Sequence, residues 1–230
     1  MTLILSLAFT LTTAGPVDTA VRATEAPNAL RAAFTVEISN NDASLLYRYD
    51  PREAAGSRWQ RLASAGEDRR LDAVAEAWSR EAAPDGRLFA DNLRANLSGQ
   101  VEIDDFGSAW RVQFDHATDA TGLGGSLEAE AWLEPMTGRF MRIDYALPAP
   151  IKQADGTALN AFQQSYRLET EPAWGLSYIA EYQVQLEVAD VQRTQSEAYR
   201  VVVKEATFFF STPAHEDAYR AKTYGQLAGY

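Results

Sequence analysis

The chain contains no cysteine, which excludes a thiol nucleophile, a disulfide framework and any cysteine-based metal site. It also excludes the lipidated cysteine by which bacterial lipoproteins are anchored behind their signal. Histidine is nearly absent, with only His116 and His215. Basic residues are few: 21 Lys and Arg stand against 32 Asp and Glu, for a net charge of −11. That balance argues against nucleic acid as a partner, because binders of phosphate backbones present basic patches. It would also repel the chain from an anionic membrane surface. No apolar run approaches the roughly 20 residues that span a bilayer, and no internal repeat is apparent.

What is present is a sequence of 230 residues, 46% of them hydrophobic and 11% aromatic. That is enough apolar material to build a core and offset the entropy of ordering, so the chain is read as globular. Arg outnumbers Lys by 18 to 3, a codon signature of a GC-rich genome. The first residues form an apolar run from Leu3 to Leu11, followed by small residues to Gly15 and then Pro16. This is the shape of a secretory signal spanning 1–14, cleaved after Ala14, although no Lys or Arg precedes the run. The alternative is a first element packed into the core. Export places the mature chain, 15–230, in the periplasm or outside the cell, with no stable membrane anchor. Asn96-Leu97-Ser98 matches a glycosylation acceptor, silent in most bacteria.

Periodicity predicts a single β-rich domain. A short helix is expected over 27–33. Phe34, Val36 and Ile38 then alternate with polar residues, a half-buried strand, and Asn40-Asn41-Asp42 turns the chain into Leu46-Tyr47-Arg48-Tyr49. After a short extended stretch at 57–62, the period becomes helical. Leu71, Val74, Ala75 and Trp78 share a face, and Ser64 with Glu67 has capping-box spacing. This helical insert, about 64–97, is interrupted by Pro84-Asp85-Gly86. Strands follow around Trp110–His116, Leu127–Glu134, Phe140–Ala146, Ser165–Thr170, Tyr178–Asp190 and Tyr199–Phe210, and a terminal helix is expected over Glu216–Leu227. One apolar face per strand needs a single cover. The fold class expected is α+β, mostly antiparallel β: a meander curled into a half-open barrel and covered by the helical segment. The alternative is a β-sandwich.

This layout, with its leader, Phe34-Thr35-Val36-Glu37-Ile38, the Tyr47-Arg48-Tyr49-Asp50-Pro51 hairpin, and the stretch Gly138-Arg139-Phe140-Met141-Arg142-Ile143-Asp144-Tyr145, resembles the periplasmic lipoprotein carrier and receptor superfamily. The Tyr-Arg-Tyr-Asp-Pro and Gly56-Ser57-Arg58-Trp59 stretches are closer to other exported proteobacterial proteins. The resemblance implies a half-open barrel with a helical lid that binds acyl chains in its concave face and performs no chemistry. It transfers no individual binding residue.

Candidate chemistry is sparse. The two histidines lack the spacing of a metal motif. Glu128 and Glu130 share a strand face about 6–7 Å apart, a separation compatible with acid/base work, but Glu134 continues the series as a solvated sheet surface would. Asp104-Asp105 reads as a turn before Gly107. No Gly-x-Ser-x-Gly turn occurs, and Gly122-Leu123-Gly124-Gly125 lacks the Lys of a phosphate loop. Phe208-Phe209-Phe210 puts rings on both faces of the last strand, to be met by the terminal helix near Tyr219 and Leu227, a ligand or a partner. Trp110, Phe114, Leu127 and Leu133, together with Ile143, Tyr182, Val184 and Phe209, are expected to face inward and line either a ligand cavity or a solid core. The leading expectation is a non-enzymatic carrier of a hydrophobic or lipid-like ligand, needing no cofactor or metal. The alternatives are an envelope protein interaction module working through loops such as 149–160, and a carboxylate-dependent hydrolase.

Overall fold

The computed structural model describes residues 15–89, 98–117, 127–152, 156–190 and 193–227. The leader, the glycine loop at 121–125 and the part of the helical insert at 90–97 lie outside the described residues. Eleven strands form one sheet, and every pairing is antiparallel. They are β1 (Leu30–Ser39), β2 (Ser44–Tyr49), β3 (Trp59–Ala65), β4 (Ser98–Asp105), β5 (Trp110–Ala117) and β6 (Leu127–Glu134), then β7 (Arg139–Ala146), β8 (Ile151–Lys152), β9 (Ala158–Glu171), β10 (Leu176–Ala189) and β11 (Thr194–Phe210). The order across the sheet is β3-β2-β1-β11-β10-β9-β7-β6-β5-β4, with β8 added beside β9. β3 and β4 are the two edges and do not pair, so the sheet is an open one and not a closed barrel. It is also not a sandwich, since the strands form one continuous ladder. The meander is broken once: the first hairpin joins the rest through β1 and β11, and β3 leads to β4 through the helical insert.

The helices differ from the sequence expectation at the start. The helix expected over 27–33 is absent; α1 (Pro16–Ala23) lies earlier, and Leu30 already belongs to a strand. Pro16 fits the first helical turn, and the Asp18 carboxylate accepts the Gly15 N–H at 3.2 Å, which favours this early start. Further on, Ala29 sits at φ 64°, a conformation no right-handed helix tolerates. From Leu30 the burial alternates strictly along β1, so the period-two pattern extends back beyond Phe34.

Helix α2 (Arg69–Ser79) begins later than Ser64 would start it. Its cap is Asp68, whose carboxylate accepts the Arg70 N–H, while Ser64 belongs to β3. Between them Gly66 adopts φ +70°, bringing its Cα so close to the Asp42 carbonyl that an added Cβ would lie 2.4 Å from that oxygen. A 3-10 turn, Pro84–Leu88, follows α2, and helix α3 (Pro213–Leu227) ends the described chain.

α2 crosses the inward face of the sheet. Leu71, Ala75 and Trp78 are buried, and the Trp78 ring meets Phe34 of β1 at 5.9 Å, Trp59 of β3 at 5.9 Å and Tyr182 of β10 at 6.3 Å. One side chain thus touches strands far apart in the sheet order, which requires the sheet to curl around it. The opposite face is a polar ladder. Lys204 pairs with Glu37, Arg200 and Arg167 converge on Glu181, Arg142 engages Asp144, and Arg111 pairs with Asp104.

Two predictions follow from this architecture. Gly66→Ala adds both backbone strain and a clash with main chain, so it should lower stability by about 2 kcal/mol or more, measured by urea unfolding. Unchanged stability would refute the close approach. Glu181 lies nearly buried, and hydrogen bonds from Arg200 hold its carboxyl down at about 2 rather than its usual 4.5; Arg52 holds Asp50 at about 2 in the same way. Both groups bind protons more weakly folded than unfolded. Their stabilisation is therefore complete above about pH 5 and is lost as pH falls through about 2. Glu181→Gln should flatten the loss of urea midpoint between pH 5 and pH 2.5.

Candidate functional site

Strand register places the sequence-selected residues in relation to one another. A single row of partners runs across the inward face: Val112 opposite Ala131, Ala131 opposite Ile143, Ile143 opposite Tyr166, Tyr166 opposite Tyr182, and Tyr182 opposite Val201. Ile143 and Tyr182 belong to this row. Phe114 and Val184 lie in the neighbouring rows, while Trp110 is opposite Leu133. Leu127, Leu133, Ile143, Phe114, Tyr182 and Val184 are buried, and Trp110 is half-buried against them. These seven do share a face, but they are spread over β5, β6, β7 and β10 and do not converge on one point.

Phe209 is a correction. Phe208 and Phe210 point into the core, so strict alternation turns Phe209 to the other face. There the Arg52 guanidinium lies 4.8 Å from its ring centroid, with Arg52 itself held by Asp50 at 2.7 Å. The terminal helix meets the inward rings: Tyr219 lies 5.4 Å from Phe210.

The inward face holds polar groups that the sequence reading passed over. Tyr166 lies 5.9 Å from Tyr182, and Tyr199 lies 6.1 Å from it. The Trp78 indole stacks on Tyr182 and its Nε1 donates to the Tyr182 hydroxyl at 3.2 Å. Arg87 lies over the other part of this cluster, 5.0 Å from the Trp78 ring, while Glu81 accepts its Nε–H at 2.6 Å. Burial pushes the Tyr166, Tyr182 and Tyr199 hydroxyls up, so they remain neutral donors throughout the physiological range. Tyr166 lay within the strand expected over 165–170 without being selected, and Gln164 lay just before it; the strand begins at Ala158, and Gln164 and Tyr166 continue its alternation.

The segment that carries Arg87 is fixed by an ion pair between a buried carboxylate, Asp85, and the partly exposed Arg31. Asp85 is 1% exposed. Its carboxylate accepts from Arg31 Nε at 2.6 Å, Arg31 Nη2 at 3.0 Å and the Ala32 N–H at 3.1 Å. β2 pairs with β1 only as far back as Phe34, so Asp85 supplies the acceptor that a strand neighbour would otherwise offer Ala32. At the other end of the segment, Phe89 forms a β-bridge with Tyr178 of β10.

A cavity of about 730 Å³ opens where α2 begins. One wall is the β1–β2 turn with Asp68 and Arg70; the other is formed by the ends of β7, β9, β10 and β11. Leu186 is opposite both Phe162 and Glu197 in register, so these three share the inward face, and Leu147 joins them. Along β10, Leu186 leads inward through Val184 to Tyr182, about 13 Å away. Trp78 blocks the path at that depth. Polar contacts hold the start of α2: Asn40 to Asp68 at 2.6 Å on one wall and Arg61 to Asp72 at 2.5 Å away from the cavity, while Arg70 reaches across the mouth to Glu197 at 3.4 Å. Exposed pairs of this kind hold weakly.

The catalytic candidates lie elsewhere. Glu128 and Glu130 line an open groove of about 590 Å³ on the polar face with Arg142 and Asp144, and Glu130 accepts from Trp132 Nε1 at 2.9 Å. Asp104 and Asp105 end strand β4 instead of forming the turn expected there; the turn follows them, with Asp105 accepting the Gly107 N–H at 2.7 Å, and Asp104 pairs with Arg111 at 2.5 Å. Thr212 precedes α3 and its hydroxyl lies 2.7 Å from His215 Nδ1 in the first turn, and His116 lies on β5. Among the described residues no three metal-ligating side chains come together. No helix among them is long and apolar enough to cross a membrane. In comparisons with family models, curated proteins and solved structures, the chain finds no match.

Asp85→Ala should cost about 1–3 kcal/mol, because it leaves the buried Ala32 N–H without an acceptor and the partly exposed Arg31 with only the Tyr49 hydroxyl. Asp72→Ala, at an exposed pair, should cost under about 1 kcal/mol. Equal losses in urea unfolding would contradict the anchoring role of Asp85.

Proposed function

We propose that this protein is a non-enzymatic carrier that holds a hydrophobic or lipid-like ligand against the concave face of its sheet, in the periplasm or after secretion. The observation that carries this reading is the cavity at the start of α2. Its volume lies within the range of small-molecule sites, about 300–1,000 Å³, and its apolar floor of Leu147, Phe162 and Leu186 runs into the inward face. The ligand meets Leu186 and Phe162 first, then Val184, and reaches Tyr182 only when Trp78 moves. α2 is the lid in this reading, spanning the mouth through the exposed Arg70–Glu197 pair and held to the core by Leu71 and Trp78. An acyl chain gains about 0.8 kcal/mol for each methylene it buries, and no bond is made or broken.

A second reading, docking of an envelope protein, is favoured by one observation. Phe106 and Met136 are 58% and 92% exposed on the β4–β5 and β6–β7 turns, which lie at the same end of the sheet. The hydrolase reading gains nothing from the geometry of Glu128 and Glu130, which lie in an open groove on the polar face, Glu130 bonded by Trp132 and Arg111.

The test is native mass spectrometry of the protein expressed with residues 1–14 and recovered from a periplasmic fraction. Expected is added mass of lipid size that organic solvent removes. A bare mass, with no uptake of fatty acids or phospholipids offered afterwards, would overturn the carrier reading and leave the docking surface.

A further inference from the structure

We infer that the polar face of the sheet binds an uncharged glycan chain in a groove laid across β5, β6, β7, β9 and β10. The site is separate from the carrier cavity and does not depend on it. Strand register builds it. One row of outward partners reads Gln113, Glu130, Asp144, Ser165 and Gln183. The next row reads Glu128, Ala146, Gln163 and Gln185. Ala146 stands where its neighbours carry longer side chains, and the dip it leaves is the groove of about 590 Å³ between Gln113, Glu128, Asp144 and Gln163. Arg142 is shared with a second hollow of about 360 Å³, formed by Ser165, Arg167, Glu181 and Gln183. Together the two cross four strand spacings, about 19 Å.

The chemistry of this track differs from the rest of the face. Elsewhere arginines and carboxylates pair off, as Arg200 does with Glu181. Here the side-chain amides of Gln113, Gln163 and Gln185 have no partner among the described residues, and each offers two N–H donors and a carbonyl acceptor. The one arginine of the groove, Arg142, is engaged by Asp144 and reaches the Ser165 hydroxyl at 3.5 Å. Neutral groups that both donate and accept, spaced along a narrow track, match a ligand that carries hydroxyls along its length. Trp132 stands beside the track, opposite Arg142 in register, with its Nε1 donating to Glu130 and Phe106 packed 5.6 Å from its ring. An indole is a large apolar plate with one polar handle, suited to the C–H face of a sugar ring. Other occupants fit less well. An extended peptide that adds to a sheet needs a free strand edge, and these five strands are each paired on both sides. A polyanion meets Glu128, Glu130 and Asp144 and a net charge of −11, which repel it.

The experiment is isothermal titration calorimetry of the full chain with neutral pentasaccharides of the cello-, malto-, laminari-, xylo- and N-acetylchito- series, and with penta-galacturonate as their anionic counterpart. At least one neutral pentasaccharide is expected to bind, at least about ten-fold more tightly than penta-galacturonate. Its affinity should be the same at low salt and in about 0.5 M NaCl, because the ligand has no charge to screen. Ala146→Arg fills the floor of the groove from an outward strand position and should abolish binding. Gln113→Ala and Gln163→Ala should each weaken it about three- to ten-fold, the worth of one hydrogen bond. Circular dichroism and the urea midpoint check the fold of each variant, and the two glutamine variants decide the matter should Ala146→Arg misfold. Failure of every neutral pentasaccharide to bind at millimolar concentration, a preference for penta-galacturonate, or binding that survives these substitutions in folded protein would each overturn the inference and leave the carrier reading standing.

Discussion

The stacking of Trp78 on Tyr182 is the contact around which the molecule is organised. An open antiparallel sheet has an apolar face that must be hidden, and among the described residues there is no second sheet to hide it. A short helix does so only if the strands curl towards it, and Trp78 supplies the reach, touching β1, β3 and β10 at once. Its burial between aromatic rings contributes several kcal/mol, far more than the ion pairs along the start of α2. The helix is anchored along its length by Leu71, Ala75 and Trp78, and the cavity lies beside its start.

The two faces of the sheet solve different problems. Inward, aromatic and aliphatic side chains exclude water, and the phenols of Tyr166, Tyr182 and Tyr199 bring hydroxyls with them. Outward, Arg and acidic residues alternate across neighbouring strands, so a chain with a large negative excess still has its sheet surface locally neutralised. Glu181 is the extreme case, nearly buried yet charged because Arg200 and Arg167 both bond to it. The edges are blunted as well. β3 carries a bulge opposite Leu46 and Tyr47, which leaves Leu62 out of register, and β4 ends in Asp104 and Asp105. Bulges and charges of this kind discourage pairing with another chain.

Much of the strand pattern was legible because period-two alternation is a local property. Val112 and Phe114, Leu127 to Leu133, and Tyr182 to Val184 all fall on the inward face as their spacing indicates. Phe209 did not, since a run of three aromatics has no alternation to read, and only the core decides which of the three turns out. The opening helix was misplaced because Pro27 to Ala33 has helical composition, while the left-handed Ala29 that ends that possibility is a conformation no composition reveals. The role of Asp85 was also hidden. Within Pro84-Asp85-Gly86 it reads as a turn residue, and its partner Arg31 is 54 positions away.

The sequence by itself determined the strand-rich class, the polar and apolar faces, the helical insert and the absence of cysteine chemistry, because each follows from residue type or from spacing within a few positions. The tertiary structure decided the pairing of β1 with β11, the curl around Trp78, the position of Asp85 on Ala32 and the cavity at the start of α2. Those depend on contacts between segments far apart along the chain, where the cost of closing the loops is repaid only when the whole core forms at once.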